Sequence, residues 1–212
     1  MSSGFWTVIV AAGRSARFGA PKLLEVLGSC RVIDHSVLTA VLVSAGVVLV
    51  ADDPRVSDGQ PVDVVVAGGE SRSASVRAGL AAVPADVEVV LVHDGARPGA
   101  NAELYSRVAH ALADGVDAVV PALAVADTVK RIGGDGRVVG TVDRSDLVAV
   151  QTPQGFRRSA LLAAHGDGGE ATDDAALIEL AGGTVVAVLG DAINVKVTEP
   201  HDLEFLRAVW PR

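Results

Sequence analysis

The three lysines of this chain lie in segments suited to holding phosphate. Lys22 ends a glycine-bearing loop, Lys130 lies in an alternating polar segment, and Lys196 is the centre of an Asn-Val-Lys-Val-Thr run over residues 194–198. All other basic side chains among the 18 are arginines. A lysine ammonium is a compact and mobile point charge, whereas a guanidinium is a planar fork. These lysines are therefore candidates for anion binding.

The loop over residues 11–22 has the composition of a phosphate cradle. Three small residues open it: Ala11, Ala12 and Gly13. Such residues let backbone amides approach a ligand closely, and successive amides can hold phosphate oxygens. Arg17 and Lys22 add positive charge at the same place. The loop is not a P-loop, because no Ser or Thr follows Lys22, and it lacks the three-glycine dinucleotide fingerprint.

A second polar segment, His-Asp-Gly-Ala-Arg-Pro over residues 93–98, follows a predicted strand. Open α/β sheets bind ligands at the carboxyl ends of their strands. Asp94 could contact a divalent metal or a ribose, and Arg97 a phosphate; the alternative is a structural ion pair between them. We expect His93 to make a strand-end hydrogen bond rather than to act as a base. No Ser-His-Asp or Cys-His set is visible, so covalent nucleophilic catalysis is not expected.

Strands and helices alternate along most of the chain. Short, continuously apolar, Val-rich runs predict strands buried on both faces, as in a parallel sheet covered by helices. They cover residues 8–12, 47–51, 62–67, 87–93, 118–123 and 185–189. Helical spacing covers residues 32–43, 71–83, 101–113 and 172–181, and a last helix is predicted to start at residues 198–200. This alternation predicts one three-layer α/β domain.

One stretch breaks this rhythm. Residues 128–132 and 137–142 alternate apolar with polar side chains and are separated by Gly-Gly-Asp-Gly over residues 133–136. This pattern predicts a β-hairpin. We interpret the hairpin as an arm that projects from the body and serves dimerisation; the alternative is a simple surface ribbon.

Composition limits the classes of protein that this chain can represent. A length of 212 residues with 50% hydrophobic content suffices for one well-filled core. The net charge of −8 argues against nucleic-acid or anionic-membrane binding. Cys30 is the only cysteine, which excludes a disulfide framework and favours a reduced, cytoplasmic protein. Residues 1–7 lack the basic start of a signal peptide, and the longest apolar stretch, residues 40–51, is too short to span a membrane.

Taken together, a series of segments in one order resembles the 2-C-methyl-D-erythritol 4-phosphate cytidylyltransferases of the non-mevalonate isoprenoid pathway. The segments are residues 11–22, 68–69 with Ser75, 93–98, 127–130, 141–144, 151–154, 172–173 and 194–198. The resemblance extends over nearly the whole chain. It implies a single domain over residues 1–212, with a Rossmann-like nucleotidyltransferase fold, a mostly parallel sheet and a dimerisation arm at about residues 127–146. We expect no appended cyclodiphosphate synthase domain.

The resemblance also implies a reaction. Enzymes of this family transfer CMP from CTP to 2-C-methyl-D-erythritol 4-phosphate, giving 4-diphosphocytidyl-2-C-methyl-D-erythritol and pyrophosphate. The substrate phosphate attacks the α-phosphorus in line, without a covalent enzyme intermediate. Such a reaction needs alignment and charge neutralisation more than acid–base work. The implied cofactor is Mg²⁺, bound near Asp94 or otherwise through the CTP phosphates.

Site residues follow from the same resemblance. Arg17 and Lys22 match the residues that stabilise charge on the triphosphate, and Lys196 and Arg144 match those that hold the sugar phosphate. Further substrate contacts are expected at Ala11, Ala12, Gly13, Gly69, Ser75, Asp94, Gly95, Arg97, Thr128, Thr152 and Thr172, with Gly69 and Ser75 forming the pocket that reads cytosine. The family is a homodimer with arm exchange, so Thr128 and Arg144 are expected to serve the neighbouring site.

The chain departs from the family pattern at a few positions. Ser15 stands where the family usually has a second glycine, Phe18 where it usually has Met, and Glu70 replaces a common Asp. We therefore expect a slightly different loop geometry rather than lost binding.

Other functions remain as alternatives. A different sugar-phosphate cytidylyltransferase, such as one acting on ribitol 5-phosphate, is disfavoured by the Thr-Val-Asp-Arg stretch ending in Arg144 and by the Ala96-Arg97 pair. A molybdopterin guanylyltransferase would share the first loop but not the later motifs. A non-catalytic nucleotide-binding module would not need cations around both reactants, and a dehydrogenase would need the missing fingerprint.

Overall fold

The computed structural model describes residues 4–13, 15–112, 115–166 and 168–210. Its strands are β1 (Trp6–Val10), β2 (Val26–Leu27), β3 (Cys30–Arg31), β4 (Gly46–Val50), β5 (Val64–Val66), β6 (Val89–Asp94), β7 (Ala118–Ala124), β8 (Val129–Ile132), β9 (Val138–Val142), β10 (Val148–Val150), β11 (Gln154–Arg157) and β12 (Val185–Leu189). Its helices are α1 (Val32–Val43), α2 (Pro54–Ser57), α3 (Arg72–Ala81), α4 (Ala102–His110), α5 (Arg158–His165), α6 (Asp174–Leu180) and α7 (Pro200–Val209), with a 3₁₀ turn at Lys22–Leu24.

The central sheet is mostly parallel, as the Val-rich runs predict. Its order is β10-β7-β11-β6-β1-β4-β5, and β12 pairs with β7. β1 runs parallel to β4 and β6, β4 to β5, and β7 to β12. β11 lies antiparallel between β6 and β7, and β10 is antiparallel to β7. Each predicted strand is present, and β10 and β11 are additions to the prediction.

Helices cover both faces of this sheet, which confirms the three-layer α/β fold. On one face Ile9 of β1 packs in a cluster with residues of α1, α4 and α7, including Ile33, Leu104 and Leu203. On the other face Val8 joins residues of α3 and α6, including Leu80. Successive strand residues point to opposite faces, so a strand buried on both sides must be apolar at every position.

The helices begin where short polar side chains cap them. The Ser71 hydroxyl accepts a hydrogen bond from the Ala74 N–H at the start of α3, and the Asn101 side chain caps α4 in the same way. Capping side chains of this kind satisfy N–H groups that have no partner within the helix. The predicted helix over residues 101–113 ends at His110, and position 113 lies outside the described residues.

The predicted hairpin is present as a separate two-stranded sheet of β8 and β9. Val129 pairs with Val142 and Lys130 with Thr141, and the Lys130 ammonium donates to the Thr141 hydroxyl at 2.6 Å. Within the described ranges, none of the helices combines the length and the apolar character that a membrane crossing needs.

Candidate functional site

The segments that the sequence singles out converge because four parallel strands end at the same level. Val10 at the end of β1 pairs with Asp94 of β6 on one side and with Val50 of β4 on the other. Val50 in turn pairs with Val66 of β5. The chain leaving each strand therefore emerges at one edge of the sheet, where open α/β sheets bind ligands. A cleft of about 710 Å³ lies at this edge.

The first wall of the cleft is the loop after β1. Its turn is closed by hydrogen bonds from the N–H groups of Phe18 and Gly19 to the Ser15 carbonyl, at 3.0 and 3.2 Å. Ser15 has a φ of +52°, a left-handed conformation that glycine adopts most easily. Ser15 thus adopts a backbone conformation in which glycine is the usual residue. Arg14 lies outside the described residues.

Gly68, after β5, packs directly against this first wall. A Cβ atom at Gly68 would lie 2.3 Å from the Ala12 Cβ, so only a glycine lets the two loops come this close. The Gly68 N–H donates to a carboxylate oxygen of Asp52 at 2.8 Å. Ala12 and Asp52 both line the cleft.

Gly69 and Ser75 form the second wall. A Cβ atom at Gly69 would lie 2.4 Å from the Ala74 Cβ. The Gly69 N–H donates to the Ser75 hydroxyl at 3.1 Å, and this hydroxyl donates to the Ser71 carbonyl at 2.9 Å. Ser75 therefore braces the Gly69 loop against the first turn of α3. Both residues line the cleft.

Asp94 gathers three cations at the floor of the cleft. One of its oxygens, Oδ2, lies 2.8 Å from the Lys196 Nζ and 3.6 Å from the Arg97 Nε, and Oδ1 lies 3.5 Å from the Arg72 Nε. Burial would raise the pKa of the Asp94 carboxyl, but Lys196, Arg72 and Arg97 outweigh that effect and hold the pKa well below its usual range. Asp94 is therefore ionised at neutral pH.

Lys196 reaches Asp94 because the segment that carries it runs alongside the chain after β6. The Val197 N–H donates to the Ala96 carbonyl at 2.8 Å, and the Arg97 Nη1 donates to the Asn194 carbonyl at 2.8 Å. The Lys196 side chain is 39% exposed, so its ammonium faces the cleft. Lys196 and the first loop thus share one cleft, as the sequence predicts.

Lys22 faces the same space from the loop side. Burial lowers the pKa of the Lys22 ammonium, and repulsion from Lys196 and Arg17 lowers it further, against the attraction of Asp94. Like charges held together in this way favour an incoming anion, because the anion relieves their mutual repulsion.

Behind Asp94, His93 and Thr152 form a buried support. The Asp94 N–H donates to the Thr152 hydroxyl at 3.0 Å, which lies 3.1 Å from the His93 Nδ1. The His93 Nε2 lies 3.2 Å from the Arg97 carbonyl. A carbonyl oxygen only accepts, so Nε2 carries the hydrogen and Nδ1 accepts from Thr152. Burial lowers the pKa of His93 to about 4, so the ring is neutral and makes the expected strand-end hydrogen bonds.

The structure brings together most of the predicted site residues, but not all. Those that line the cleft are Ala11, Ala12, Gly13, Arg17, Lys22, Gly69, Ser75, Asp94 and Lys196. Gly95, Arg97 and Thr152 do not line the cleft, but Arg97 and Thr152 contact Asp94 directly. Thr172 is exposed just before α6, and Thr128 and Arg144 are exposed on or beside the arm; none of the three lines the cleft. The Arg144 guanidinium donates to the Val125 carbonyl.

Arg72 is a cleft cation that was not among the predicted site residues. It is the first residue of α3 and pairs with Asp94 and also with Asp174, whose Oδ2 lies 2.8 Å from the Arg72 Nη1. Its position between Gly69 and Ser75, which were both predicted to contact substrate, could have identified it.

A resident metal does not fit Asp94 alone. Among the described residues there is no group of three or more His, Cys, Asp or Glu side chains that could hold a metal ion. The Asp94 carboxylate is already shared by three cations. Mg²⁺ keeps several waters and commonly binds through substrate phosphates. The cleft residues therefore fit an ion that arrives with a nucleotide better than one held by protein ligands.

Comparison with known proteins agrees with this geometry. Residues 5–210 match the protein family described as 2-C-methyl-D-erythritol 4-phosphate cytidylyltransferase. A protein of that name from Frankia casuarinae is 43% identical, over 97% of this chain and 80% of its own length. The bifunctional enzyme IspD/IspF of Clavibacter michiganensis is 46% identical over 92% of this chain, and the chain spans only 52% of that relative.

Among solved structures, the 2-C-methyl-D-erythritol 4-phosphate cytidylyltransferase from Thermus thermophilus is 33% identical, with a TM-score of 0.80. The match covers 96% of this chain and 97% of that one. Sequence and fold lead to one assignment: the chain belongs to the 2-C-methyl-D-erythritol 4-phosphate cytidylyltransferase family.

Proposed function

We propose that this protein transfers CMP from CTP to 2-C-methyl-D-erythritol 4-phosphate and releases pyrophosphate. The observation that carries the proposal is the shared cleft of Lys22 and Lys196, which come from opposite ends of the chain. Two anions must approach each other in this reaction, and clustered cations lower the electrostatic barrier to that approach. The neutral, buried His93 is not placed to act as a base, and none is needed, because the attacking phosphate is already ionised.

Each wall of the cleft has a role in this proposal. The backbone at Ala11, Ala12 and Gly13 cradles the triphosphate, and Arg17 and Lys22 neutralise the charge that develops on it. The cytosine lies against Gly69, where the loop braced by Ser75 leaves room for a small base. Lys196 holds the phosphate of the sugar substrate in line with the α-phosphorus. The chemistry is then mainly alignment and charge neutralisation.

We propose further that Mg²⁺ accompanies the triphosphate and is bound mainly by phosphate oxygens and water. A divalent ion in that position supplies charge neutralisation between the phosphates. The support is that the Asp94 carboxylate already forms ion pairs with Lys196 and Arg72, so its oxygens are poorly available to a metal ion.

We also propose that the protein works as a homodimer with arm exchange. Large apolar side chains are exposed on the arm and beside it: Ile132, Val138, Val139, Leu147, Val148 and Val150. An exposed apolar surface of this kind is typical of a protein interface. Thr128 and Arg144 lie outside the cleft of their own chain, which supports a role for them in the partner's site. The single cysteine supports a reduced, cytoplasmic setting.

The experiment that tests the reaction measures pyrophosphate release in a matrix of substrates. CTP, UTP, GTP and ATP are each combined with 2-C-methyl-D-erythritol 4-phosphate and with ribitol 5-phosphate. We expect turnover with CTP and methylerythritol phosphate, at least tenfold above every other pair. Preferential use of ribitol 5-phosphate would favour the other sugar-phosphate cytidylyltransferases, and nucleotide binding without turnover on either acceptor would favour a binding module.

A further inference from the structure

Arg72 occupies a position between the open cleft and the protein interior. Its Nε lies 3.5 Å from the Asp94 Oδ1 in the cleft, and its Nη1 lies 2.8 Å from the Asp174 Oδ2 behind it. A guanidinium presents several N–H groups in one plane, so a single arginine can hold two carboxylates at fixed angles. A lysine ammonium on a flexible stem would not reproduce this geometry.

Asp174 holds Arg72 from a fully buried position. Its side chain has no solvent exposure, and its second oxygen, Oδ1, lies 3.0 Å from the Nε2 of buried His165. A buried carboxylate that loses its cation is strongly destabilised, so Arg72 cannot swing freely away from Asp174. The guanidinium is therefore held in place from the interior side of the cleft.

These contacts form a continuous chain from the interior to the cleft: Asp174, Arg72, Asp94 and Lys196. Arg72 pairs with Oδ1 of Asp94 at 3.5 Å, and Lys196 pairs with Oδ2 at 2.8 Å, where Arg97 is a more distant second partner at 3.6 Å. With one N–H used on Oδ2, the Lys196 ammonium retains two for an incoming anion. The arrangement fixes where the ammonium sits and still leaves it able to bind a phosphate.

We propose that Arg72 is a positioning residue of this site, clamped by Asp174, which orients Asp94 and through it places the Lys196 ammonium for the sugar-phosphate substrate. The proposal rests on the function proposed above and extends it to residues beyond the cleft-lining cations that the sequence predicts. A purely structural role for the Arg72–Asp174 pair is the alternative. Buried ion pairs contribute little net stability compared with apolar pairs, so stability alone gives weak grounds for an arginine here.

Arg77 offers a matched control on the same helix. It donates from Nη1 to the Gly169 carbonyl at 3.1 Å and pairs with Glu170 at 3.3 Å, so it ties α3 to the same neighbouring segment. It does not line the cleft. Arg72→Lys and Arg77→Lys therefore make the same chemical change on one helix, with and without contact to Asp94.

Steady-state kinetics distinguish positioning from a structural role. For Arg72→Lys we expect kcat/KM for methylerythritol phosphate to fall by about 10- to 100-fold, the scale for a reacting group displaced by about 1 Å. We expect the KM for CTP to stay within about threefold, and Arg77→Lys to stay within about twofold on every parameter, because it moves no cleft residue. Equal losses in both variants, or a loss confined to the KM for CTP, would overturn the proposal.

A second measurement needs no turnover. The chain has only three lysines, so protein labelled with ¹³C at lysine Cε gives a simple spectrum that Lys→Arg variants can assign. In Asp174→Asn we expect the Lys196 signal to shift while that of Lys130, on the arm, stays in place. An unchanged Lys196 signal in a folded Asp174→Asn protein contradicts the clamp. If this variant does not fold, the same comparison is made with Arg72→Gln, which leaves Asp174 intact and retains three lysines.

The two tests separate this inference from the proposed reaction. If the wild-type protein does not use methylerythritol phosphate, the reaction is wrong, but the lysine spectra still report on the link between Asp174 and Lys196. If the wild-type protein is active and Arg72→Lys behaves like Arg77→Lys, the reaction stands and the positioning role of Arg72 is wrong.

Discussion

At the scale of single residues, burial and neighbouring charges set the pKa of the Lys22 ammonium. Burial and the nearby charges of Lys196 and Arg17 lower the pKa of its ammonium, and an anion in the cleft would stabilise the charged form. The ammonium is therefore suited to a site where negative charge develops during a reaction.

We predict that Lys22→Ala lowers kcat by about 10²–10³, the scale for losing one donor to a developing charge. Steady-state measurement of pyrophosphate release checks this. Arg207→Ala is the control, because it removes an exposed cation of α7 that pairs with Glu25, away from the cleft. Turnover of Lys22→Ala close to wild type would remove Lys22 from the reaction.

The lowered pKa of His93 makes the free energy of unfolding depend on pH. Its pKa is lowered from 6.5 to about 4 by burial, so the unfolded chain takes up a proton before the folded one as pH falls. This contribution to stability is present above pH 6.5 and is lost progressively as pH falls towards 4. Between about pH 7 and about pH 5 the loss is about 2 kcal/mol.

In His93→Gln this titration is absent. We predict that the free energy of unfolding falls less between about pH 7 and about pH 5 in the variant than in the wild type, by roughly 2 kcal/mol. Urea unfolding at the two pH values measures the difference. Equal falls in the two proteins would mean that His93 is not held neutral by burial.

At the scale of elements, the close approach of the loop after β5 to the first turn of α3 shapes one wall of the cleft. The loop before α3 packs so tightly that a Cβ atom at Gly69 would lie 2.4 Å from the Ala74 Cβ and 3.0 Å from backbone carbon of Ala74. Neither contact can be relieved by turning a flexible side chain, so the loop itself would have to move.

We predict that Gly69→Ala destabilises the protein by about 1–3 kcal/mol, the usual range for overpacking, and raises the KM for CTP. Gly134→Ala is a matched control, because a Cβ atom there meets nothing within 4 Å. Urea unfolding and CTP saturation curves measure both effects. A Gly69→Ala protein as stable as Gly134→Ala would contradict the tight packing.

The strands of the central sheet differ in how well the sequence predicts them. The Val-rich runs predicted the parallel strands because strands buried on both faces must be apolar throughout. β11 escaped prediction because Gln154-Gly155-Phe156-Arg157 has no continuous apolar run, although all but Arg157 are buried. Polar N–H groups at its two ends find tertiary acceptors: the Gln154 Nε2 donates to Asp173 at 2.7 Å, and the Arg157 Nε donates to the Val116 carbonyl at 2.8 Å. Local pattern does not encode such partners.

At the scale of the whole molecule, the arm carries two predicted site residues, Thr128 and Arg144, that do not line the cleft of their own chain. In the proposed homodimer, each site would combine Lys22 of one subunit with the partner subunit's Arg144. A heterodimer of Lys22→Ala and Arg144→Ala chains would then contain one intact site and one site with both changes.

We predict that mixing these two inactive variants restores activity. With random exchange of equal amounts, about one quarter of the wild-type sites would be regained, because half of the dimers are mixed and each has one intact site. Pyrophosphate release from verified heterodimers measures the recovery, and each variant alone is the control. No recovery would place Arg144 in the site of its own chain, or in none.

The layered α/β fold, the hairpin and the first-loop residues of the cleft could be predicted from the amino-acid sequence, because burial on both faces and glycine-bearing turns leave a local pattern. Gly69 and Ser75 were predicted only through the family resemblance. The use of Asp94 became visible only in the folded chain. Its pairing with Arg97, three positions away, was one of two possibilities that the sequence left open. Arg72 and Lys196 come from distant parts of the chain, and no spacing predicts that they meet at Asp94. The same holds for Arg72, whose partner Asp174 lies 102 positions away. Charge pairing depends on distance in space, which the packing of the sheet and helices sets.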